Sequence, residues 1–324
     1  MSNFWKEIKV LITGSEGVVG TKVSEILRER GYNVFGIDLY HTPHLYGHGL
    51  GKVENENYFR CDISEYRQIS DVIEHVKPDI VYNCGAEFGR WNGEHFYEKV
   101  WKTNAIGTKN IIRLQEKHRF KLVHTSSSEV YGDYTDIMYE DVLDKTPIVQ
   151  MNDYAMSKRV NEMQILNSKI MYDTESVVVR LFNTYGPGEW YHPFRSVNCI
   201  FTYNLLHNIP ITIYRGHTRT STYIYDCART LANIANDFNS GETYNIASEQ
   251  HHTIEYLVDL ILKETDAPPD LVTYDDALEI LTTKDKFVDS TKSRKDLNHE
   301  DTISLEIGVH DTVEWMRKYY GVKS

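Results

Sequence analysis

The sequence predicts an α/β fold, a doubly wound parallel sheet with a smaller mixed α/β lobe towards the C-terminus. Three observations predict it. An apolar run, Ile8–Ile12, is followed by Gly14, Gly17 and Gly20 and then by a helical pattern with Val19, Val23, Ile26 and Leu27 on one face. Strand-like runs alternate with helical stretches as far as Leu181, which implies right-handed crossovers between parallel strands. Beyond Gly186-Pro-Gly188 the alternation loosens. The expected division is 1–181 for a nucleotide-binding domain and 182–324 for a substrate domain, some of whose segments return to the first.

The first element is a strand–glycine turn–helix unit, the context in which a glycine motif becomes a phosphate cradle. Gly14 permits a tight turn, Gly17 lets backbone N–H groups approach a pyrophosphate, and Gly20 lets helix and strand pack closely. The helix N-terminus offers unpaired donors and a partial positive charge worth about 0.3–1 kcal/mol to an anion at an exposed site. The next strand, Asn33–Asp38, ends in an acid 18 residues after Gly20. A carboxylate there accepts hydrogen bonds from the adenosine ribose and repels a 2′-phosphate. Leu39 and Tyr40 follow with no arginine, so NAD is favoured over NADP.

A Gly/His/Asn-rich loop is expected over His41–Asn57, then a short strand up to Cys61-Asp62-Ile63 and a helix over Glu65–Val76. Strand Asp79–Tyr82, a loop over Asn83–His95, a long helix to Lys117 and strand Lys121–Thr125 follow. After a loop to Asn152 come a helix over Tyr154–Met171 and strand Ser176–Leu181. In the C-terminal part, strands are expected at Ile211–Tyr214 and Thr243–Ile246, and helices at Thr253–Thr265 and Ser304–Tyr319. Ligands of such a sheet sit beyond the carboxyl ends of its strands, so the informative loops follow Ile12, Ile37, Tyr82, Val123 and Leu181.

A net charge of −12 argues against nucleic acid or an anionic membrane as partner. The four cysteines are scattered, as in a reducing compartment, and no His or Cys spacing suggests a metal. His251 and His252 read as surface residues. The N-terminus has no signal-peptide pattern and no run of apolar residues is long enough to cross a membrane, so a soluble cytoplasmic protein is expected.

Tyr154 and Lys158 stand four apart at the start of a helix, with Asn152 or Asp153 as N-cap, and so share a face. A phenol with a reference pKa of about 10 becomes a base near neutrality if a nearby ammonium and an oxidised nicotinamide favour the phenolate by roughly 4 kcal/mol. Such a tyrosine takes the proton of a secondary alcohol while hydride leaves the same carbon. Ser126-Ser-Ser-Glu129 follows a strand at the cofactor edge, where a hydroxyl can orient the reacting oxygen.

Together these residues resemble the extended short-chain dehydrogenase/reductase family, with its Rossmann-type domain, and within it the NAD-dependent sugar-nucleotide epimerases and dehydratases. Thr13–Gly20 matches T-G-x-x-G-x-x-G, Asp62-Ile63 the D-[LIV] step beside adenine, and Thr103–Thr108 the helix asparagine motif. Asn83-Cys-Gly-Ala86 takes the place of H-x-A-A, and Arg180–Pro187 matches R-x-F-N-x-Y-G-P. The resemblance implies NAD contacts at Gly14, Gly17, Val18, Val19, Gly20 and Asp38, and at Asp62, Ile63, Cys84, Ala86, Asn104, Tyr154 and Lys158. It implies catalytic roles for Ser127, Tyr154 and Lys158, with Glu129 as candidate for a second proton transfer. For a nucleotide-diphosphate sugar it implies Asn183 and Arg219, joined by Ser128, Arg195 and Arg90 as candidates. A homodimer paired through the helices carrying Asn104 and Tyr154 is the family's usual assembly. The dTDP-glucose 4,6-dehydratases have Asp-Glu after the Ser/Thr, where this chain has Ser128-Glu129, as in GDP-mannose 4,6-dehydratases and UDP-glucuronate decarboxylases. The loop Glu87–Glu94 has no counterpart in the commoner members. Three readings are open: an epimerase/dehydratase acting through transient C4 oxidation, a net C4 dehydrogenase, and a non-catalytic NAD sensor.

Overall fold

The computed structural model describes residues 8–40, 57–277 and 279–322. The chain opens with β1 (Lys9–Thr13), α1 (Val18–Glu29), β2 (Asn33–Asp38), β3 (Tyr58–Arg60), α2 (Tyr66–Val76) and β4 (Ile80–Asn83). Short helices α3 (Arg90–His95) and α4 (Tyr97–Val100) run into a π-helical turn, Trp101–Gly107, and then α5 (Thr108–His118). Next come β5 (Lys121–Ser127), a 3₁₀ turn at Ser128–Tyr131, α6 (Val142–Lys145), α7 (Asp153–Tyr172), β6 (Ser176–Leu181) and β7 (Thr184–Tyr185). The C-terminal part holds α8 (Val197–Leu206), β8 (Ile211–Tyr214), β9 (Thr218–Thr220), β10 (Thr222–Tyr223), α9 (Ile224–Asn233), β11 (Thr243–Ile246) and β12 (His251–Thr253). It ends with α10 (Ile254–Thr265), β13 (Val272–Asp275), α11 (Thr291–Leu297) and α12 (Leu305–Tyr320).

Among the described residues seven strands form one parallel sheet in the order β11-β6-β5-β4-β1-β2-β3. The apolar run of β1 is continuous because the strand is covered on both faces. Val10 and Ile12 pack with Val23, Leu27 and Leu231 of α1 and α9, while Leu11 packs with Ile69, Ile73, Ile111 and Ile112 of α2 and α5. The strand order reverses between β1 and β4, so their carboxyl ends open the crevice in which this architecture binds ligands. Thr13, at the end of β1, donates its hydroxyl to Asn83 Oδ1 at 2.8 Å across that switch point. A second core gathers α8, α10 and α12 around β8 and β13.

Several elements differ from expectation. The third strand stops at Arg60 rather than Ile63, and the expected loop 83–95 contains α3. The long helix expected up to Lys117 is broken by the π turn, where the Asn104 amide bonds the backbone of Glu87 on both sides, accepting from its N–H at 2.8 Å and donating to its carbonyl at 3.0 Å. The acidic stretch Asp266–Asp276 contains β13, paired parallel with β8. The loop expected over 41–57 lies outside the described residues except for Asn57. His252 is buried against Ser221 rather than on the surface, its Nε2 2.9 Å from the hydroxyl. Among the described residues no helix is long and apolar enough to cross a membrane, and no cluster of His, Cys, Asp or Glu forms a metal site.

Candidate active site

The carboxyl edge of the sheet opens into a cavity of about 900 Å³. Gly14, Gly17, Val18, Val19 and Gly20 line it from the β1–α1 turn, Asp38 from β2, and Asp62, Ile63, Cys84 and Ala86 from the segments after β3 and β4. Gly14 has φ +64°, and a Cβ there would lie 2.7 Å from the Gly85 Cα. A Cβ on Gly20 would lie 2.1 Å from the Gly14 carbonyl oxygen, so no larger residue fits either place. Gly17 is the N-cap of α1 and brings no side chain to cap the first-turn N–H groups, which leaves that helix end suited to an anion. Asp38 is held at the rim, accepting from Glu16 N at 3.0 Å and Leu39 N at 2.7 Å, while burial pushes its carboxyl above the ordinary value. Asn104 is the one expected cofactor residue set back from the lining; it pins the Glu87 loop and donates to Ser157 at 3.0 Å.

Ser127, Ser128, Glu129, Tyr154 and Lys158 line the same cavity. Asn152 is the N-cap of α7, accepting from Ala155 N at 2.7 Å, which fixes the helix start and with it the faces of Tyr154 and Lys158. The Lys158 ammonium donates to the Thr125 carbonyl at 2.8 Å and lies 6.0 Å from the centre of the Tyr154 ring. Burial brings the lysine down to about 8, with Cys84 and Glu162 pulling the other way. Burial drives the Tyr154 hydroxyl up to about 12, the Ser127 hydrogen bond opposes that, and the Glu129 charge adds to it. The lowering expected from Lys158 is not found here; the opposing influence is the Ser127 hydrogen bond, which desolvation outweighs.

A charged cluster completes the lining. Arg90 at the start of α3 pairs with Glu279 at 2.8 Å, and Glu129 pairs with Lys286 at 2.5 Å. Arg219 on β9 spends one nitrogen on the carbonyls of Thr218 and Lys284, at 2.7 and 2.8 Å, and faces Arg90, Glu129 and Glu279. Asn183 takes φ +35° and donates to the Thr220 carbonyl at 3.0 Å. The Arg195 guanidinium is stacked between Phe88, at 4.1 Å, and Trp190, at 4.3 Å. Both cores thus contribute to one site, which the Phe88–Arg195–Trp190 stack ties together.

Residues 10–247 match the model of the NAD dependent epimerase/dehydratase family. The chain belongs to this family. It is 30% identical to a UDP-glucuronate 4-epimerase of Thermodesulfobacterium geofontis, over 95% of this chain and 96% of that protein. It is 26% identical to a dTDP-glucose 4,6-dehydratase of Salmonella typhimurium, over 95% and 92%. The fold matches an epimerase structure from Methanothermobacter thermautotrophicus with a TM-score of 0.88 at 24% identity, covering 98% and 94% of the two chains.

The cofactor of the epimerase/dehydratase family is NAD, and the residues here fit it. The glycine turn leaves room only for a closely approaching ligand, the uncapped start of α1 suits a pyrophosphate, and Asp38 stands where a ribose hydroxyl is recognised. Sequence reasoning missed Lys286 and Glu279. Neither belongs to a family motif, and each meets a partner far back along the chain, Glu129 for Lys286 and Arg90 for Glu279. The one available signal was the charged tract Thr282-Thr-Lys-Asp-Lys286.

Proposed function

We propose that the protein is a sugar-nucleotide epimerase or dehydratase that works through transient oxidation at C4 of the sugar. The observation that carries this reading is the convergence of Ser127, Tyr154 and Lys158 on the cavity that holds the glycine cradle. Ser127 orients the C4 hydroxyl, and Tyr154 as phenolate takes its proton. Bringing a phenol from about 12 to neutrality requires roughly 7 kcal/mol. The Lys158 ammonium, 6.0 Å from the centre of the ring, favours the phenolate and contributes a part of this. Bound NAD supplies the hydride acceptor and a pyridinium charge that carries the remainder. The free part of the Arg219 fork binds the nucleotide diphosphate, with Asn183 beside it; Arg195, already stacked, holds the wall of that subsite. Glu129 is the candidate for a second proton transfer.

Incubation with a panel of UDP-, dTDP-, GDP- and CDP-sugars plus NAD, followed by mass spectrometry and NMR, tests this reading. Loss of one water identifies a dehydratase, and unchanged mass with altered ring couplings an epimerase. Loss of two hydrogens with accumulating NADH identifies the net dehydrogenase instead. Tyr154→Phe is expected to lower turnover by about 100-fold or more while NAD still binds; unchanged turnover refutes the assignment. We also propose a homodimer: Ile106 near α5 and Met163, Leu166 and Ile170 on α7 are exposed apolar residues on the two helices that would pair. Ile170→Glu should release monomers in light scattering if this face is the interface. The cysteines are all unpaired, which supports the cytoplasm as location.

A further inference from the structure

We propose that Arg195 is a clasp for the cofactor: held by the C-terminal core, its guanidinium binds the pyrophosphate of NAD from the side opposite the start of α1. The inference rests on the NAD site and is independent of the chemistry proposed for C4.

The guanidinium is built to meet an anion in its own plane. Phe88 and Trp190 cover its faces at 4.1 and 4.3 Å, which leaves the in-plane N–H groups as its outlets. Nε is buried and has no hydrogen-bond partner. Among the described residues the carboxylate that acts on it is Glu189, which does so by charge alone, without a hydrogen bond between them. Burial lifts the Glu189 carboxyl to about 7, so it is about half protonated at neutral pH. Its Oε2 is already engaged, accepting from the Ser196 hydroxyl at 3.1 Å. Burial lowers the Arg195 pKa from its ordinary value, yet an arginine stays cationic at neutral pH. A desolvated guanidinium with an incomplete counter-charge is costly until an anion meets its donors, and a diphosphate offers paired oxygens in that geometry.

The loop that carries Arg195 is fixed to the second core. Ser196 caps α8, accepting from Cys199 N at 3.2 Å, and the Cys199 thiol donates to the carbonyls of Glu189 and Trp190 at 3.4 and 3.5 Å. Tyr191 N donates to the Tyr320 hydroxyl of α12 at 2.7 Å, and Arg195 N to the His192 carbonyl at 3.0 Å. The guanidinium is therefore presented by a rigid support, which lowers the entropy lost when it binds.

The proposed reaction brings two diphosphates into the cavity, one from NAD and one from the sugar nucleotide, and Arg195 and Arg219 both line it. Their surroundings separate them. The side chains acting most on Arg219 are Arg90, Glu129, Glu279 and Asp285. Those acting on Arg195 are Glu189, Cys199, Tyr40 and Tyr320. Tyr40 stands two residues beyond Asp38, at the end of β2 where the ribose of NAD is recognised. Phe88 follows β4 beside Glu87, whose backbone Asn104 pins. Gly188, at the start of the same loop, runs alongside α1, where a Cβ on it would lie 4.0 Å from the Lys22 Cε. Arg195 and its loop thus meet the N-terminal half at β2, at the segment after β4 and at α1, the three elements around the cofactor. NAD becomes a bridge between the two cores, and its release requires breaking charge-assisted bonds to both.

Titration calorimetry on the full, cofactor-free chain tests this with NAD, ADP-ribose and UDP. ADP-ribose keeps the pyrophosphate and lacks the nicotinamide; UDP stands for the diphosphate of the sugar nucleotide. Arg195→Met should weaken NAD and ADP-ribose alike, by about 10- to 100-fold, the worth of a hydrogen bond to a charged group. UDP should weaken by no more than about threefold, as for a residue that walls its subsite. Arg195→Lys should restore part of the loss and not all of it, because an ammonium is not planar and does not fill the stack. In the wild type, NMR of arginine side chains should show the Arg195 Nε–H, assigned through its contacts with the Phe88 and Trp190 rings, shifting with ADP-ribose and not with UDP. Unchanged affinity for NAD and ADP-ribose in folded Arg195→Met overturns the inference. A loss for UDP that equals or exceeds theirs overturns it too and assigns Arg195 to the sugar nucleotide. Should Arg195→Met not fold, the wild-type shift decides. Should UDP not bind at all, the NAD and ADP-ribose titrations decide, and it is the proposed function that fails.

Discussion

Arg180→Met is expected to destabilise the protein by about 3 kcal/mol, and the structure sets that size. Arg180 and Glu162 are 4% and 6% exposed and meet as a two-pronged pair, Nε to Oε1 at 3.0 Å and Nη2 to Oε2 at 2.9 Å. Breaking a buried pair from one side costs roughly 3–5 kcal/mol because the other charge is left behind. Glu162 keeps the Ser126 hydroxyl at 2.6 Å and the Arg159 guanidinium at 3.1 Å, which places the loss near the lower bound. Arg180 also donates to the Tyr131 hydroxyl and the Glu140 carbonyl, at 2.9 and 2.8 Å, so two further acceptors lose a donor. Replacing both partners, Arg180→Met with Glu162→Met, should recover most of the loss, since no charge remains buried. The pH dependence has a definite sign. In the wild type the Glu162 carboxyl is depressed by Arg180 against the opposing effect of burial. Its contribution is present above the unfolded pKa of about 4.3 and fades as pH falls through the folded value. The gap between wild type and Arg180→Met should therefore narrow below about pH 4. Urea unfolding at a series of pH values measures all of this. A loss under about 1 kcal/mol for the single variant, or a double variant less stable than the single, refutes the reasoning.

The remaining expectations concern the cradle and the buried lysine. Gly14→Ala forces a Cβ to within 2.7 Å of Gly85 at φ +64° and should lower stability by about 1–3 kcal/mol and weaken NAD binding, read by thermal shift with and without NAD. Asp38→Asn removes the charge that repels a 2′-phosphate and should shift the NADP/NAD affinity ratio by about tenfold or more towards NADP; titration calorimetry with both dinucleotides checks it. Lys158 has its pKa lowered to about 8 by burial, so between there and the unfolded value of about 10.4 the unfolded chain binds more protons than the folded one. Wild-type stability should accordingly rise relative to Lys158→Met across that window, by roughly 2–3 kcal/mol. A parallel pair of urea-derived stability curves between pH 7 and about 10 counts against the assigned shift.

Much of this protein was legible before its structure. The β1–α1 turn is written within twelve residues, because a strand, a turn and a helix start depend on local backbone freedom: Gly14 stands at positive φ and Gly20 against the Gly14 carbonyl. The covered strands of the sheet, β1 and β6 among them, could be read as continuous apolar or β-branched runs, since burial on both faces leaves no polar alternation to interpret. Tyr154 and Lys158 share a face by helical spacing alone, and the choice between Asn152 and Asp153 as cap is settled in favour of Asn152 by a short side-chain bond. Where local rules were weak, the reading slipped. The Glu87–Glu94 segment carries no helix periodicity, and α3 forms there beneath tertiary cover, with Gly89 at φ +95° against Phe194.

Charge partnership was not legible at all. Glu129 and Lys286 are 157 residues apart, and Arg90 and Glu279 lie still farther apart along the chain. Which cation a buried carboxylate meets is decided by chain return, when the segment 279–288 is clamped onto α7, β9 and the loop after β5. The protonation state of Tyr154 has the same origin, for spacing puts a lysine near it but only the packed site sets how far desolvation raises it. The sequence alone determined the family and the cofactor, because those depend on short-range backbone and side-chain geometry. The tertiary structure decided the charge partners of Glu129, because Coulomb interactions and burial depend on distance in space and not along the chain.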